Sequence, residues 1–337
     1  PAAYDLATGG EIVKATGILY RAGISAALLA LFFTACGDGA GGADGDGNAA
    51  ANYVSEYRAQ TSCADEALAL ANEVNESIVE EGIVLMKNEG GALPLDAGSR
   101  ITVFGKNSAD PVYGGGGSAS GADGSGQGGM MYSDLYGSLE KAGFALNPVM
   151  RAFYEDDSAS GSGRDGGSGT GEVATVTGET PLSSYTAEVR ASYNDYNDAA
   201  IVFLSRAGGE GADLMTNYTS PVAGRSDYND DGDAASGDHY LETDDNEEAL
   251  IAEAKANFDR VVVVLNVGTS FELGTLEDDE GIDAVLWLGF PGGNGMDALG
   301  SVLSGEVNPS GRTADIYSAD FKADPAFANF GGNYASQ

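Results

Sequence analysis

The sequence predicts an α/β protein, a three-layer sandwich. Its sheet is expected to be mostly parallel, about five to six strands wide, with helices on both faces. Three observations predict it. Short continuous apolar runs at 101–104, 199–204, 261–266 and 284–288 are bounded by polar residues, as in strands buried on both faces. Helical patterns separate several of these runs, and that alternation is the signature of a parallel sheet covered on both sides. The length of 337 residues is enough to bury a full core of this kind.

Residues 1–36 are expected to form an apolar N-terminal segment. Within it 22–36 (AGISAALLALFFTAC) is short for a membrane span but fits the apolar region of a secretion signal. Phe33-Thr34-Ala35-Cys36 resembles a bacterial lipobox, with phenylalanine where leucine is usual, and would leave Cys36 lipidated. An uncleaved helix that anchors in a membrane or drives self-assembly is the alternative. Residues 37–61 read as an acidic, glycine-rich linker. From 62 to 337 the chain reads as one domain.

That domain opens with a helix capped by Asp65, with Leu68, Ala71, Val74, Ile78, Val79 and Ile83 near helical spacing. The helical pattern is read as running on through 82–89. A strand at 101–104 follows, then a glycine-rich stretch to 129, a helix at 132–142 stopped by Gly143, and a strand at 144–146. Residues 158–171 and 220–237 carry no core content. A helix at 244–258 is capped by Asp244 or Asp245, with Glu247 and Glu248 in its first turn, where the dipole favours them. Strands at 261–266 and 284–288 and a helix at 295–303 complete the pattern.

A formal charge of −36 repels nucleic acid and anionic membrane, so neither is expected as a partner of the folded part. It suits a protein outside the cell or in high salt. Two cysteines, Cys36 and Cys63, give no disulfide framework, and the only histidine, His239, rules out a multi-histidine metal site. His239-Tyr240-Leu241 is read as fixing the entry of the following helix, and Trp287 as core. The glycine-rich stretch after 104 lacks both GxGxxG between strand and helix and GxxxxGK[ST], so no nucleotide is assigned to it. Asp227-Tyr228-Asn229-Asp230-Asp231-Gly232, with Asp238 closing, matches calcium-loop spacing. No helix clearly enters it and the closing acid is aspartate, so no cofactor is required and calcium is left as an alternative.

The stretch with most chemistry is 198–213, DAAIVFLSRAGGEGAD. A buried strand breaks into three glycines around Glu210, a loop able to bring a carboxyl group out at the strand's C-terminal end. From the residues alone, Glu210 is either that group or a solvated glutamate in a surface turn.

Several stretches together resemble the C-terminal α/β-sandwich domain of glycoside hydrolase family 3. They are Glu80-Glu81-Gly82-Ile83-Val84-Leu85-Met86-Lys87-Asn88-Glu89 with Ala92-Leu93-Pro94-Leu95, then Val103-Phe104-Gly105, and Tyr113 with its glycines and Ser118. Ser205-Arg206 with Gly209-Glu210-Gly211-Ala212-Asp213, Val262-Val263-Val264-Leu265-Asn266, Pro291-Gly292-Gly293, and Gly305-Glu306-Val307-Asn308-Pro309-Ser310-Gly311-Arg312 follow in the family's order. The ending, Asp324-Pro325-Ala326-Phe327-Ala328-Asn329-Phe330-Gly331, is similar to the bacterial subgroup in which this domain precedes a TIM-like barrel.

The resemblance implies a β-glucosidase-like hydrolase acting on a β-linked glucoside or oligosaccharide, with Glu210 as general acid/base. Arg206, Asp213, Tyr113 and Ser118 would be substrate-binding or supporting residues. The family's nucleophilic aspartate lies in the barrel, in an SDW-type motif that this sequence lacks, so this chain alone is expected to be inactive. The alternative reading is a non-catalytic extracellular or cell-surface structural or interaction protein built on the same domain.

Overall fold

A computed structural model of the chain describes residues 3–8, 11–16, 61–115, 133–164, 177–208 and 239–327. The chain separates into two compact units, Pro1–Ala71 and Asn72–Gln337. In the first, β1 (Ala3–Thr8) pairs antiparallel with β2 (Glu11–Thr16). Residues 22–36, with the lipobox-like Cys36, lie outside the described residues. Cys63 is disulfide-bonded, which corrects the expectation of no disulfide. No helix among the described residues is long and apolar enough to cross a membrane.

The second unit takes up helix α1 (Ala64–Gly82) from Asn72 onward and continues with β3 (Val84–Asn88) and β4 (Arg100–Phe104). Helix α2 (Leu135–Lys141), β5 (Ala145–Leu146), α3 (Pro148–Glu155) and α4 (Ala187–Ser192) follow. Then come β6 (Ala199–Arg206), α5 (Asp245–Asn257), β7 (Val261–Val267), β8 (Ala284–Trp287) and α6 (Asp297–Leu303). One six-stranded sheet results, in the order β3-β8-β7-β6-β4-β5, parallel throughout except for the edge strand β3. The α/β-sandwich prediction therefore holds.

The helical reading of 82–89 does not. Helix α1 stops at Gly82, and Val84–Asn88 leaves it as an antiparallel strand on β8, with a register break between Leu85 and Lys87. A short apolar run has no periodicity of its own to separate strand from helix, and its partner β8 lies some two hundred residues away.

Each buried strand serves two apolar layers, because successive side chains point to opposite faces. Ile201, Phe203, Val262 and Val264 face the layer formed with α1, α2 and α6, where Val79, Leu135, Leu139 and Leu299 are buried. Ala200, Val202, Leu204, Val263 and Leu265 face the layer of α3, α4 and α5, with Met150, Tyr154, Val189 and Leu250. Helix ends are fixed by side chains: Asp134 accepts from Gly137 N, Asn147 from Val149 and Met150 N, and Thr186 from Val189 N. Asp244 and Glu247 form a reciprocal capping box at α5, which satisfies two otherwise orphaned N–H groups.

Phe203 is fully buried at the centre of one layer. Truncating it leaves a cavity that strands on both sides hold open, so Phe203→Ala is expected to lower stability by about 3–5 kcal/mol. Urea denaturation followed by circular dichroism measures this.

Candidate functional site

The chain runs outward from β4 to β5, returns to the other side of β4 as β6, and continues through β7 to β8. Strand direction of progress thus reverses between β4 and β6. In open sheets the crevice outside the carboxyl ends at such a point is where ligands bind. Two loops leave there, one from Phe104 through Gly105, the other from Arg206 through Ala207 and Gly208. Gly105 has φ +109, and a Cβ on it would lie 2.3 Å from the Phe203 carbonyl oxygen, so no other residue fits.

The anion position beside β4 is filled from within. The buried Glu179 carboxylate accepts Lys106 N on both oxygens, at 3.1 and 2.9 Å, and Thr180 N at 2.9 Å. Lys106 turns its ammonium away, onto Tyr154 O (2.6 Å), Asp157 Oδ1 (2.8 Å) and Ser160 Oγ (3.1 Å). A phosphate at these amides would have to displace a carboxylate that the chain supplies itself. Burial pushes Glu179 up to about 8, helped by Glu247 and Asp244 nearby and opposed by its backbone donors.

Beside β6 the dominant group is Arg206, 1% exposed. Its Nη1 and Nη2 each donate to one oxygen of Glu247 at 2.6 Å, a bidentate pair. Nη1 also donates to Ser205 O, Nη2 to Glu242 O and Nε to Tyr240 O. All five N–H groups are therefore engaged by the chain itself, and the guanidinium lies 5.3 and 5.0 Å from the ring centroids of Tyr240 and Phe271. No N–H is left for a sugar hydroxyl. Of the two roles the resemblance offered Arg206, the geometry favours support over substrate contact. Ala207 N donates to Tyr240 Oη at 3.1 Å, so three hydrogen bonds tie the end of β6 to the turn at 239–242.

A third buried polar group joins two loops to the end of β6. Asn266, on β7, accepts Val112 N (2.7 Å) and Ser205 Oγ (3.0 Å), and donates to Val112 O (2.9 Å) and Gly289 O (2.7 Å). This fixes the loop carrying Tyr113, whose carbonyl accepts Gly292 N at 2.7 Å and whose side chain packs on the apolar layer of α2. Tyr113 and Arg206 thus stand at the same edge of the sheet. Glu210, Asp213 and Ser118 lie outside the described residues, as does the calcium-like loop Asp227–Asp238. Glu179 had no place in the sequence reading, and Glu247 and Asn266 were read there only as a first-turn charge and the end of a strand. The signal that could have found Glu247 is the arginine ending a fully apolar strand, since a buried guanidinium requires an acid.

His239, Glu242 and Glu272 bring ligand-type atoms within 4.8 Å of one another. Their bonding does not fit a metal ion. Nδ1 of His239 accepts Leu241 N at 3.2 Å, so in the neutral ring the proton sits on Nε2, which faces Glu272 Oε2 at 3.3 Å. A metal on Nε2 would require the proton to move to Nδ1, against the Leu241 N–H. Lys322 Nζ already lies 2.9 Å from Glu242 Oε1, and Phe321 N donates to Glu272 Oε2 at 2.8 Å. With Phe321 and Phe327 packed on the imidazole, the group fastens the 321–327 segment to the turn at 239–242.

The open, mostly parallel sheet with helices on both faces belongs to the doubly wound α/β class, in which ligand sites lie outside the carboxyl ends of the strands. The family model "Glycosyl hydrolase family 3 C-terminal domain" matches residues 83–331, and the chain belongs to that family. Beta-glucosidase A of Butyrivibrio fibrisolvens is 29% identical over 263 residues, covering 74% of this chain and 29% of that protein. The beta-glucosidase of Ruminococcus albus is 30% identical over 270 residues, covering 79% and 24%. In fold, the chain is similar to a beta-glucosidase from Paenibacillus barengoltzii (TM-score 0.59, 24% identity, 78% of this chain and 26% of that one). It is also similar to beta-glucosidase 3B from Thermotoga neapolitana in complex with glucose (TM-score 0.58, 23% identity, 78% and 33%). The chain spans between about a quarter and a third of the length of these proteins.

Two outcomes are expected of the buried charges. Arg206→Met leaves Glu247 buried without its cation and should cost about 3–5 kcal/mol, whereas Arg206→Met with Glu247→Leu should recover most of that in the same urea titration. Glu179 holds its proton more tightly folded than unfolded, so its contribution is fully present below pH 4.5 and lost as pH rises through about 8. The difference in Tm, Glu179→Gln minus wild type, should therefore grow between those pH values, as read by differential scanning calorimetry.

Proposed function

We propose that the chain is the α/β-sandwich module of a β-glucosidase that acts on a β-linked glucoside or oligosaccharide. In this reading Glu210 is the general acid/base, and the nucleophile comes from a TIM-like barrel elsewhere in the protein or on another chain. The observation that carries it is the end of β6. It lies at the switch point, is clamped by Arg206, and leads in sequence through Ala207 and Gly208 to the Gly209-Glu210-Gly211 stretch that matches the family in order. The curated relatives, named as beta-glucosidases over the same segment, support the substrate class.

The chemistry asks for two carboxyl groups about 5 Å apart in a retaining glycosidase, one protonated at the leaving oxygen and one ionised as nucleophile. A glutamate on a glycine-flanked loop can reach over a neighbouring domain, and partial burial there would raise its pKa so that it arrives protonated. Asp213, Tyr113 and Ser118 are proposed as supporting or substrate-facing groups around it, with no cofactor needed. The apolar stretch at 22–36 and the disulfide at Cys63 support an extracellular or cell-surface setting, since disulfides persist in oxidising compartments.

An aryl-β-glucoside assay on the barrel-bearing form tests the reading. Glu210→Gln should lower kcat by about 10²–10⁴-fold, and azide should partly restore turnover to Glu210→Ala. Unchanged turnover in Glu210→Gln would remove the acid/base assignment.

A further inference from the structure

At the carboxyl edge of the sheet one large apolar side chain has no place in the core. Phe290 follows β8, and among the described residues it packs into neither apolar layer. Its ring is half-buried and lies across two glycines. A Cβ on Gly268 would fall 2.2 Å from ring atom Cε2 and 2.6 Å from Cζ, and a Cβ on Gly115 would fall 3.6 Å from Cε2. The Gly115 position is itself 3.2 Å from the Gly208 carbonyl oxygen. Two loops therefore meet at one ring, and the one carrying Gly115 also touches Gly208, on the segment that leaves Arg206.

The backbone beneath the ring is held firmly. Asn266 bonds both the Val112 peptide groups and Gly289 O, and Gly292 N donates to Tyr113 O. Asn75 Nδ2 donates to Pro291 O at 3.2 Å. Phe290 is thus set between two anchored residues, Gly289 and Pro291, on a floor without side chains. An aromatic face carries negative charge density, and the C–H face of a β-glucopyranose, where H1, H3 and H5 are axial, presents the complementary positive edge. Ligand sites of this kind combine such apolar walls with a few fixed polar groups.

We propose that Phe290 is a sugar-stacking residue that takes the C–H face of a β-linked glucose unit. This rests on the reading of the chain as a β-glucosidase module. It adds a specificity determinant at the end of β8, distinct from the acid/base position after β6.

Saturation-transfer NMR on the 337-residue chain, with methyl β-glucoside and cellobiose as probes, tests it. Transfer to H1, H3 and H5 is expected in the wild type and in Phe290→Tyr, and about three- to tenfold less in Phe290→Ala. Gly268→Ala, which displaces the ring without changing it, should give the same loss. In the barrel-bearing form Phe290→Ala should raise KM by a similar factor with kcat little changed. No transfer to either probe, or transfer and KM unaffected by Phe290→Ala, overturns the proposal. If Glu210→Gln abolishes turnover while these tests fail, the module reading stands and only Phe290 loses its role. Because Phe290 lies outside both apolar layers, Phe290→Ala should keep the wild-type circular dichroism.

Discussion

The bidentate pair of Arg206 and Glu247 is the constraint on which the functional edge of this domain depends. A guanidinium this deeply buried is tolerated only if every donor is met, and here strand, turn and helix each contribute acceptors. Glu247 is also the third residue of α5 and returns an oxygen to Asp244 N, so the helix start and the strand end share one side chain. The pair therefore fixes relative position among three elements that apolar packing alone would leave free to slide. Buried ion pairs are a weak source of stability but a strong source of geometric definition when each partner has one allowed orientation.

The same logic recurs at the other polar groups. Asn266 uses both amide ends to set the spacing of two loops and the end of β6, and Glu179 uses both oxygens to hold the turn after β4. Each lies where a doubly wound sheet ordinarily opens to ligand, so the crevice is partly built from the chain's own hydrogen bonds. Among the described residues the rim also carries Gly115, Gly268, Phe290 and Tyr113.

Much of the fold was legible because fully buried strands announce themselves. The β6 and β7 runs need no periodicity, and Asp244 and Gly143 mark the ends of their helices. Strand β3 was not legible, since an apolar run continuing a helical pattern is ambiguous until its partner is known. The site divides in the same way. Glu210, outside the described residues, stood out in the sequence because glycines isolate it and because the ordered motifs resemble a family. Glu247 was visible only as a charge in a first turn, although its partner lies 41 residues earlier and removes it from solvent altogether. For Arg206 the sequence left substrate contact and support both open, because a sequence does not show how many of its donors are already taken. The Asp227–Asp238 spacing lies outside the described residues and gains nothing from the fold.

The register break in β3 has a consequence for the protein in concentrated solution. Lys87, just past the break, turns its ammonium inward onto the carbonyls of Glu277 and Asp279, at 2.9 and 2.8 Å. The outer edge of the sheet is therefore kinked at its middle, and a kinked edge is a poor template for a further strand. At the opposite edge β5 offers only two residues. Salt that screens the acidic surface would remove repulsion between molecules without giving them a straight edge of this sheet to join. For the six-stranded sheet, resistance to edge-to-edge polymerisation is thus written into the backbone rather than lent by charge.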